Sequence, residues 1–299
     1  MKLILGGNGF IGRNLVGDMK VGRSTLDLTN YQKLFELLRY HKPETVINCA
    51  GLHTSFVSSS NYEHSQALFR NLRIDMNLLE AAKNLSIPNV LLISSTTAFS
   101  TRFSGLEMTE EEFISGGEVD NRFFGYAQSK RIQVELCKSV QLDTGLNYKS
   151  AVLVNIYGPY NHLAKNSTAV ASIFYQVSLA IQNQETSVRF FGNGLMKRNW
   201  TYVEDLNEIF DRLIVNTNIK NPVIVSSMEI CDLRTIASLV KNYMGYQGEI
   251  QFDNESVHNP VEDKLVNNSK LLELIGNFSF TKIERGIEKT ALNILGSIQ

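Results

Sequence analysis

The sequence predicts an α/β fold: a doubly wound, mostly parallel sheet with helices on both faces, and a smaller α/β part towards the C-terminus. Two observations carry this. Short β-branched apolar runs alternate with segments of helical period, and the first run passes through a glycine-rich turn straight into a helical pattern. Composition agrees, because 43% hydrophobic and 20% charged residues over 299 positions describe a globular chain long enough to bury a sizeable core.

In chain order, Leu3–Leu5, Thr45–Ile47, Asn89–Ile93 and Lys149–Val154 read as short strands buried on both faces, since their apolar residues run on without alternation. Between them, Tyr31–Tyr40 places Leu34, Phe35, Leu37 and Leu38 on one side of a helix, and Leu72–Leu85 repeats apolar residues at the same spacing. Tyr126–Thr144 does so through Ile132, Leu136 and Val140, with Gly145 as its C-cap. Parallel strands joined in this way require right-handed crossovers. After about Tyr160 the rhythm loosens. A helix over Ala169–Gln182, a strand at Val188–Phe191, a helix over Val203–Val215, a strand at Val223–Val225 and helices over Leu233–Met244 and Ile283–Leu295 are expected.

Lysine plus arginine is 29 and aspartate plus glutamate 30, so a net charge of −1 offers no global field for nucleic acid or an anionic membrane. The three cysteines, Cys49, Cys137 and Cys231, are far apart and in no CxxC pair, which argues against a disulfide framework or zinc site and suits a reducing, cytoplasmic setting. The opening residues are too short for a signal-peptide core, and no run reaches 18 apolar residues. None of the five histidines has a metal-binding spacing, so no metal is expected. His53 and His162 each follow a strand-end segment and are candidates to touch a substrate.

The first strand runs into Gly6-Gly7-Asn8-Gly9-Phe10-Ile11-Gly12, in which Gly6, Gly9 and Gly12 make a GxxGxxG spacing at a strand-to-helix junction. Glycine allows the tight turn and lets backbone amides approach a pyrophosphate, while the helix N-terminus supplies partial positive charge. A dinucleotide is therefore expected in a Rossmann-like domain spanning residues 1–160, with later segments near 195–227 returning to its sheet and 161–299 forming mainly the substrate part. The rival ATP-binding loop is excluded, because Arg13-Asn14 stands where Lys-Ser/Thr is required. Asp27, 21 residues beyond Gly6 and followed by Leu28, is placed to accept the ribose hydroxyls of NAD. Arg13 and Arg23 are placed to pair with a 2′-phosphate, so NADP(H) is expected, with NAD as the alternative. Phe10, Ile11 and Arg13 open the helix beside the cofactor, and Ala50-Gly51 form a small-residue wall against it.

One Tyr-x-x-x-Lys occurs, Tyr126 to Lys130, at the start of a helix, which puts both side chains on one face. About one such match is expected by chance, so context decides. A phenol ordinarily titrates near 10, and a neighbouring ammonium lowers that value, enabling proton exchange with a carbinol or ketone. Upstream, a strand ends in Ser94-Ser95-Thr96-Thr97. Ligands of open α/β sheets bind beyond the carboxyl ends of strands, so Ser95 is placed to hydrogen-bond the oxygen that Tyr126 protonates, with Thr96 beside the substrate.

With these motifs, the chain resembles the extended short-chain dehydrogenase/reductase family, and within it the NDP-sugar epimerases and reductases. "LILGGNGFIG", "VINCAG", "LLISSTTAF", "YAQSK", "VNIYGP" and "KRNWTYVEDL" occur in family order, and "DKLVNNSKLLELIGNFSFTKIERGIEKTA" resembles the family's usual ending. The resemblance implies Ser95, Tyr126 and Lys130 as the catalytic group, with Asn155 near substrate and cofactor. It also implies Arg198 against the sugar-nucleotide phosphates and a homodimer packed through about Asn71–Asn84 and Tyr126–Thr144.

Departures narrow the function that the resemblance implies. Dehydratases of the family carry an Asp-Glu pair after the catalytic hydroxyl, where this chain has Thr96 and Thr97. The GDP-fucose synthase-like branch epimerises with a cysteine just after the serine and a histidine beyond the "YGP" motif. Those places hold Thr96 or Thr97, and Thr168 or Ala169. The expectation is an NADPH-dependent reductase of the 4-keto group of an NDP-4-keto-6-deoxy sugar that has lost the epimerisations, with a nucleotide sugar as its partner. An NAD-dependent 4-epimerase and a non-catalytic dinucleotide sensor are the alternatives.

Overall fold

The structure is a computed structural model, and it describes residues 1–52, 64–103, 107–165, 167–217, 222–253 and 263–298. Its first half runs β1 (Lys2–Leu5), α1 (Phe10–Asn14), β2 (Met19–Val21), α2 (Tyr31–His41), β3 (Thr45–Asn48), α3 (His64–Asn84), β4 (Asn89–Ser95), β5 (Glu107–Met108), α4 (Glu110–Ile114), α5 (Phe124–Thr144) and β6 (Asn147–Leu153). The second half continues with β7 (Ile156–Tyr157), α6 (Ala169–Gln182), β8 (Ser187–Phe191), β9 (Lys197–Asn199), β10 (Thr201–Tyr202), α7 (Leu206–Val215) and β11 (Val223–Val225). It closes with β12 (Ile230–Asp232), α8 (Leu233–Met244), β13 (Glu249–Asp253), β14 (Leu265–Val266), α9 (Ser269–Ile275) and α10 (Ile283–Ile298).

Six strands form one sheet in the order β11-β6-β4-β3-β1-β2, and every pairing in it is parallel. Continuous burial explains the pattern: Leu3, Ile4 and Leu5 are wholly buried, Leu3 and Leu5 contributing to one core and Ile4 to another on the opposite face. Each such side chain contributes about 1.5–3 kcal/mol through removal from water. α2, α3 and α5 cover the first face, and α7 and α9 contribute to the second. A separate core joins α6, α8 and α10 to β8, with Phe174, Val177, Ile236, Val240 and Ile287 at its centre.

Several elements differ from the sequence reading. Val21–Ser24 is too short for an ordinary second strand, and the strand that does form is the three-residue β2 just before it, paired along β1. α1 ends at Asn14 because the backbone of Leu15 is extended, so Leu15 and Val16 leave the helix. α5 begins two residues before Tyr126 and ends as expected on Gly145 in the left-handed conformation.

Candidate active site

The strand order reverses between β2 and β3 on either side of β1, and the carboxyl ends there frame the crevice that open α/β sheets use for ligands. The turn after β1 is held against the turn after β3. Gly6 has φ +76°, and a Cβ there would lie 2.6 Å from the Ala50 nitrogen. Gly12 packs so closely that its Cβ would lie 2.3 Å from the Gly6 carbonyl oxygen, whereas a Cβ on Gly9 would meet only that oxygen, at 3.3 Å. Gly9 caps α1 with no side-chain hydrogen bond, which leaves first-turn N–H groups for a ligand. Beyond β3, a Cβ on Gly51 would sit 3.7 Å from Lys130 Nζ, which places the turn after β3 against the ammonium. This backbone cradle, which side chains would fill, fits a dinucleotide.

Phe10 and Ile11 pack partly buried on the core and set the tilt of α1. Arg13 is exposed, its guanidinium 5.8 Å above the Tyr160 ring, and Arg23 is exposed just past the end of β2. Asp27 is exposed beyond β2. Its carboxylate already accepts from the Thr29 backbone N–H (3.1 Å) and hydroxyl (2.9 Å). Arg70 lies 3.7 Å away, and these contacts, the Thr29 N–H first, hold the Asp27 carboxyl below its usual range. The Leu28 side chain is buried in the core, so only its backbone can face a cofactor.

Ser95 ends β4, Tyr126 and Lys130 stand one turn apart on α5, and the Tyr126 phenol is hydrogen-bonded to Ser95. Ser95 Oγ also accepts from the Thr97 N–H (3.2 Å) and lies 3.1 Å from Thr97 Oγ1, while Thr96 opens a short 3-10 turn. The sequence reading has Lys130 lowering the phenol. Burial wins instead: Tyr126 is pushed up to about 12, and Lys130 turns its ammonium to the Ile93 carbonyl (2.7 Å). Burial likewise pulls Lys130 down, opposed by Asp75.

Ser95 pairs with Leu153 across β4 and β6. Asn155 follows at φ +40°, and its Nδ2 donates to the Asn199 carbonyl at 3.0 Å. Its amide is therefore committed to the backbone and locks the end of β6 to β9, beside Arg198. Arg198 is buried and forms a parallel bridge with Lys264, and burial pulls its guanidinium down to about 10. Lys264 is depressed by burial and then by Arg198, while Asp120, itself paired to Arg122 ahead of α5, opposes that. Arg198 is thus buried beside a half-buried Lys264, and two neighbouring cations suit a diphosphate.

Sequence reasoning missed Lys264, whose place depends on a register made far along the chain. It also missed Asp75, although a carboxylate on the apolar stripe of Ile74, Leu78 and Leu79 is a legible signal. Thr168 precedes α6 and its hydroxyl accepts from Asn161 Nδ2 (2.9 Å). His53 lies outside the described residues. Among those residues no group of three His, Cys, Asp or Glu could hold a metal ion, and no helix is long and apolar enough to cross a membrane.

The chain is similar over nearly its whole length to proteins already known. A GDP-L-colitose synthase from Yersinia pseudotuberculosis is 27% identical over 303 residues, spanning 97% of this chain and 96% of that one. The crystal structure of a GDP-L-fucose synthetase from Naegleria fowleri superposes with TM-score 0.89 at 20% identity, covering 99% of this chain and 94% of that one. A GDP-mannoheptose C4 reductase from Campylobacter jejuni, solved with NADP bound, gives 0.85 at 20% identity and 98% of each chain. The family model for NAD dependent epimerases and dehydratases matches residues 2–226, a span that holds the glycine cradle, Ser95, Tyr126, Lys130 and Arg198, and the chain belongs to that family.

Proposed function

We propose that the protein is an NADPH-dependent reductase of the 4-keto group of an NDP-4-keto-6-deoxy sugar, GDP-linked, in deoxysugar nucleotide biosynthesis. The observation that carries this is the Tyr126 phenol, hydrogen-bonded to Ser95 at the end of β4 and one helical turn from Lys130. The named relatives, which include GDP-L-colitose and GDP-L-fucose synthases, support the nucleotide and the chemistry, and the NADP-bound neighbour supports the cofactor.

When bound, the reduced nicotinamide supplies the hydride. Gly6, Gly9 and Gly12 would hold its pyrophosphate, and Arg13 and Arg23 the 2′-phosphate. Tyr126 gives its proton to the oxygen at C4, Ser95 orients that oxygen, and Lys130 holds the nicotinamide ribose and steadies the phenolate that remains. Arg198 and Lys264 take the diphosphate. Thr96 or Thr97, and Thr168 or Ala169, stand at the places where the resemblance implies a thiol and an imidazole for epimerisation, and the Thr97 and Thr168 hydroxyls, hydrogen-bonded to Ser95 and Asn161, cannot abstract a proton beside a carbonyl.

The test is a panel of GDP-, dTDP-, CDP- and UDP-linked 4-keto-6-deoxy sugars with NADPH, read at 340 nm and by NMR of the product. Stoichiometric oxidation with the GDP-linked sugar is expected, and Tyr126→Phe should bind NADPH yet lose at least about 100-fold in kcat. Turnover of a sugar nucleotide without net loss of NADPH would make it a 4-epimerase, and tight NADPH binding with no turnover would make it a sensor.

We further propose a homodimer. Phe69 and Met76 of α3 are 62% and 52% exposed, and Phe124 and Ile132 of α5 are 44% and 38% exposed, on the two helices that pack side by side. The three free thiols suit the reducing cytoplasm.

A further inference from the structure

Very little ladder brings Lys264 to Arg198. Lys264 meets β9 at one parallel bridge, with Arg198 itself, and β14, the short strand just after it, is laddered to β5. A slip of one residue would turn Lys264 to the opposite face, so something beyond a single bridge must hold the register. Two side chains do so, one on each side of it. Before the bridge, the Asp263 carboxylate accepts from the Lys197 N–H at 2.7 Å. After it, Asn199 Oδ1 accepts from the Val266 N–H at 3.0 Å.

The two ties differ in what surrounds them. The Asp263 bond is exposed, whereas Asn199 is wholly buried, where no water stands ready to replace a lost partner. Asn199 is engaged at two further atoms: its Nδ2 donates to the Ser227 carbonyl at 3.1 Å, in the turn after β11, and its backbone carbonyl accepts from Asn155 Nδ2. Ser227 is itself wholly buried, and its N–H donates to Thr201 Oγ1 at 2.9 Å. These partners fix which way the Asn199 amide faces. Turned over, it would set its NH2 against the Val266 N–H and its oxygen against the Ser227 carbonyl. One buried amide, next in sequence to Arg198, therefore ties the segment that carries Lys264 to the turn beyond the edge strand of the main sheet.

We propose that Asn199 is a positioning residue for the substrate's diphosphate, acting through Lys264, which it holds opposite Arg198 so that both cations meet one ligand. This deepens the proposed function and rests on its reading of Arg198 and Lys264 as the diphosphate seat. Two like charges set side by side repel, so without a scaffold Lys264 would swing away until an anion drew it back, and the ligand would bear the cost of ordering it. An asparagine supplies that scaffold without adding a negative charge that would compete with the phosphates.

GDP is the probe, titrated by calorimetry into the unsubstituted protein, Asn199→Ala, Lys264→Ala and the double variant, with NADPH titrated by fluorescence as the control. Asn199→Ala should weaken GDP binding about 3–10-fold, no more than Lys264→Ala does, and leave NADPH binding within about twofold. In the Lys264→Ala background the same change should cost GDP binding less than about twofold, because the residue it acts through is gone. A merely structural role would weaken GDP binding equally in both backgrounds, and either equal losses or no loss in Asn199→Ala overturns the proposal. Should Asn199→Ala not fold, amide hydrogen exchange in the unsubstituted protein decides. What the tie gives to GDP binding, GDP must give back to the tie, so the Val266 amide should exchange about 3–10-fold more slowly with saturating GDP and unchanged with NADPH. Exchange at Val266 that ignores GDP overturns the proposal. If the unsubstituted protein binds no GDP, the reading of the diphosphate seat falls and this proposal with it, whereas GDP binding indifferent to Asn199 removes this proposal alone.

Discussion

The glycine cradle yields a sharp test, because Gly9 and Gly12 differ in what a methyl group would meet. At Gly12 the added carbon would fall 2.3 Å from the Gly6 carbonyl oxygen, 2.9 Å from its carbon and 2.9 Å from Gly7 Cα, all backbone. An ordinary carbon–oxygen contact is about 3.3 Å or more, so close to 1 Å must be found by moving α1 away from the turn, and overpacking of this kind costs about 1–3 kcal/mol. Gly12→Ala should therefore lower Tm by about 2–9 °C, at roughly 2–3 °C per kcal/mol for a chain of this size. At Gly9 the same carbon would meet only the Gly6 oxygen, at 3.3 Å, and would otherwise point into the open cradle. Gly9→Ala should leave Tm within about 2 °C and weaken NADPH binding at least about tenfold, since the pyrophosphate must approach that backbone. Differential scanning fluorimetry and NADPH fluorescence titration separate the two effects. If Gly9→Ala binds NADPH as tightly as the unsubstituted protein, the cradle does not hold the pyrophosphate, and if Gly12→Ala costs no stability, the packing argument fails.

Three further outcomes follow from the site. Arg198→Ala should raise KM for the GDP-linked sugar by about 10–100-fold with little change in kcat, because it removes a charged hydrogen-bond donor made equally in ground and transition states, while Lys264→Ala does less; steady-state kinetics decides. Incubation with 4-keto sugar nucleotide and NADPH in D2O should place no enzyme-catalysed deuterium at C3 or C5, and its appearance by NMR would show that an acid/base pair survives. The Cys49 proton leaves the unfolded chain near 9 but the folded one at about 12, so its contribution is fully present below 9 and stability falls as pH rises across that window. Cys49→Ala should flatten the decline in Tm between pH 9 and 11, and in the native protein Cys49 should resist iodoacetamide at pH 8.

What the sequence made legible depended on how far each feature reaches along the chain. α6 and α8 match their predicted bounds at both ends, as does β11, because their periodicity and caps are local. The glycine turn and the Ser95, Tyr126 and Lys130 group were legible for a different reason: a parallel sheet fixes which strand ends face the crevice. Charge states were less accessible. The lysine four residues along α5 suggested a lowered phenol, but whether an ammonium faces the phenol or a carbonyl is a packing outcome, and here it faces Ile93. Asp27 has the spacing of a ribose acceptor, but that Thr29, two residues on, engages its Oδ1 was not legible from the spacing. Lys264 was out of reach because only its bridge to Arg198, 66 positions earlier, gives it meaning.

The geometry also separates what is held rigid from what selects the sugar. Ser95 is fixed to Leu153 by the β4–β6 register, Asn155 turns the chain at φ +40° and ties it to Asn199, and Arg198 precedes that anchor. The hydrogen-bonding end of the site and the diphosphate end are therefore linked through one short stretch of backbone, and asparagine suits that turn because it tolerates the left-handed region better than most side chains. On the proposed function, a sugar nucleotide spanning these two ends presents its C4 oxygen at Ser95 and Tyr126. On that reading, discrimination among sugars falls to residues other than these anchors.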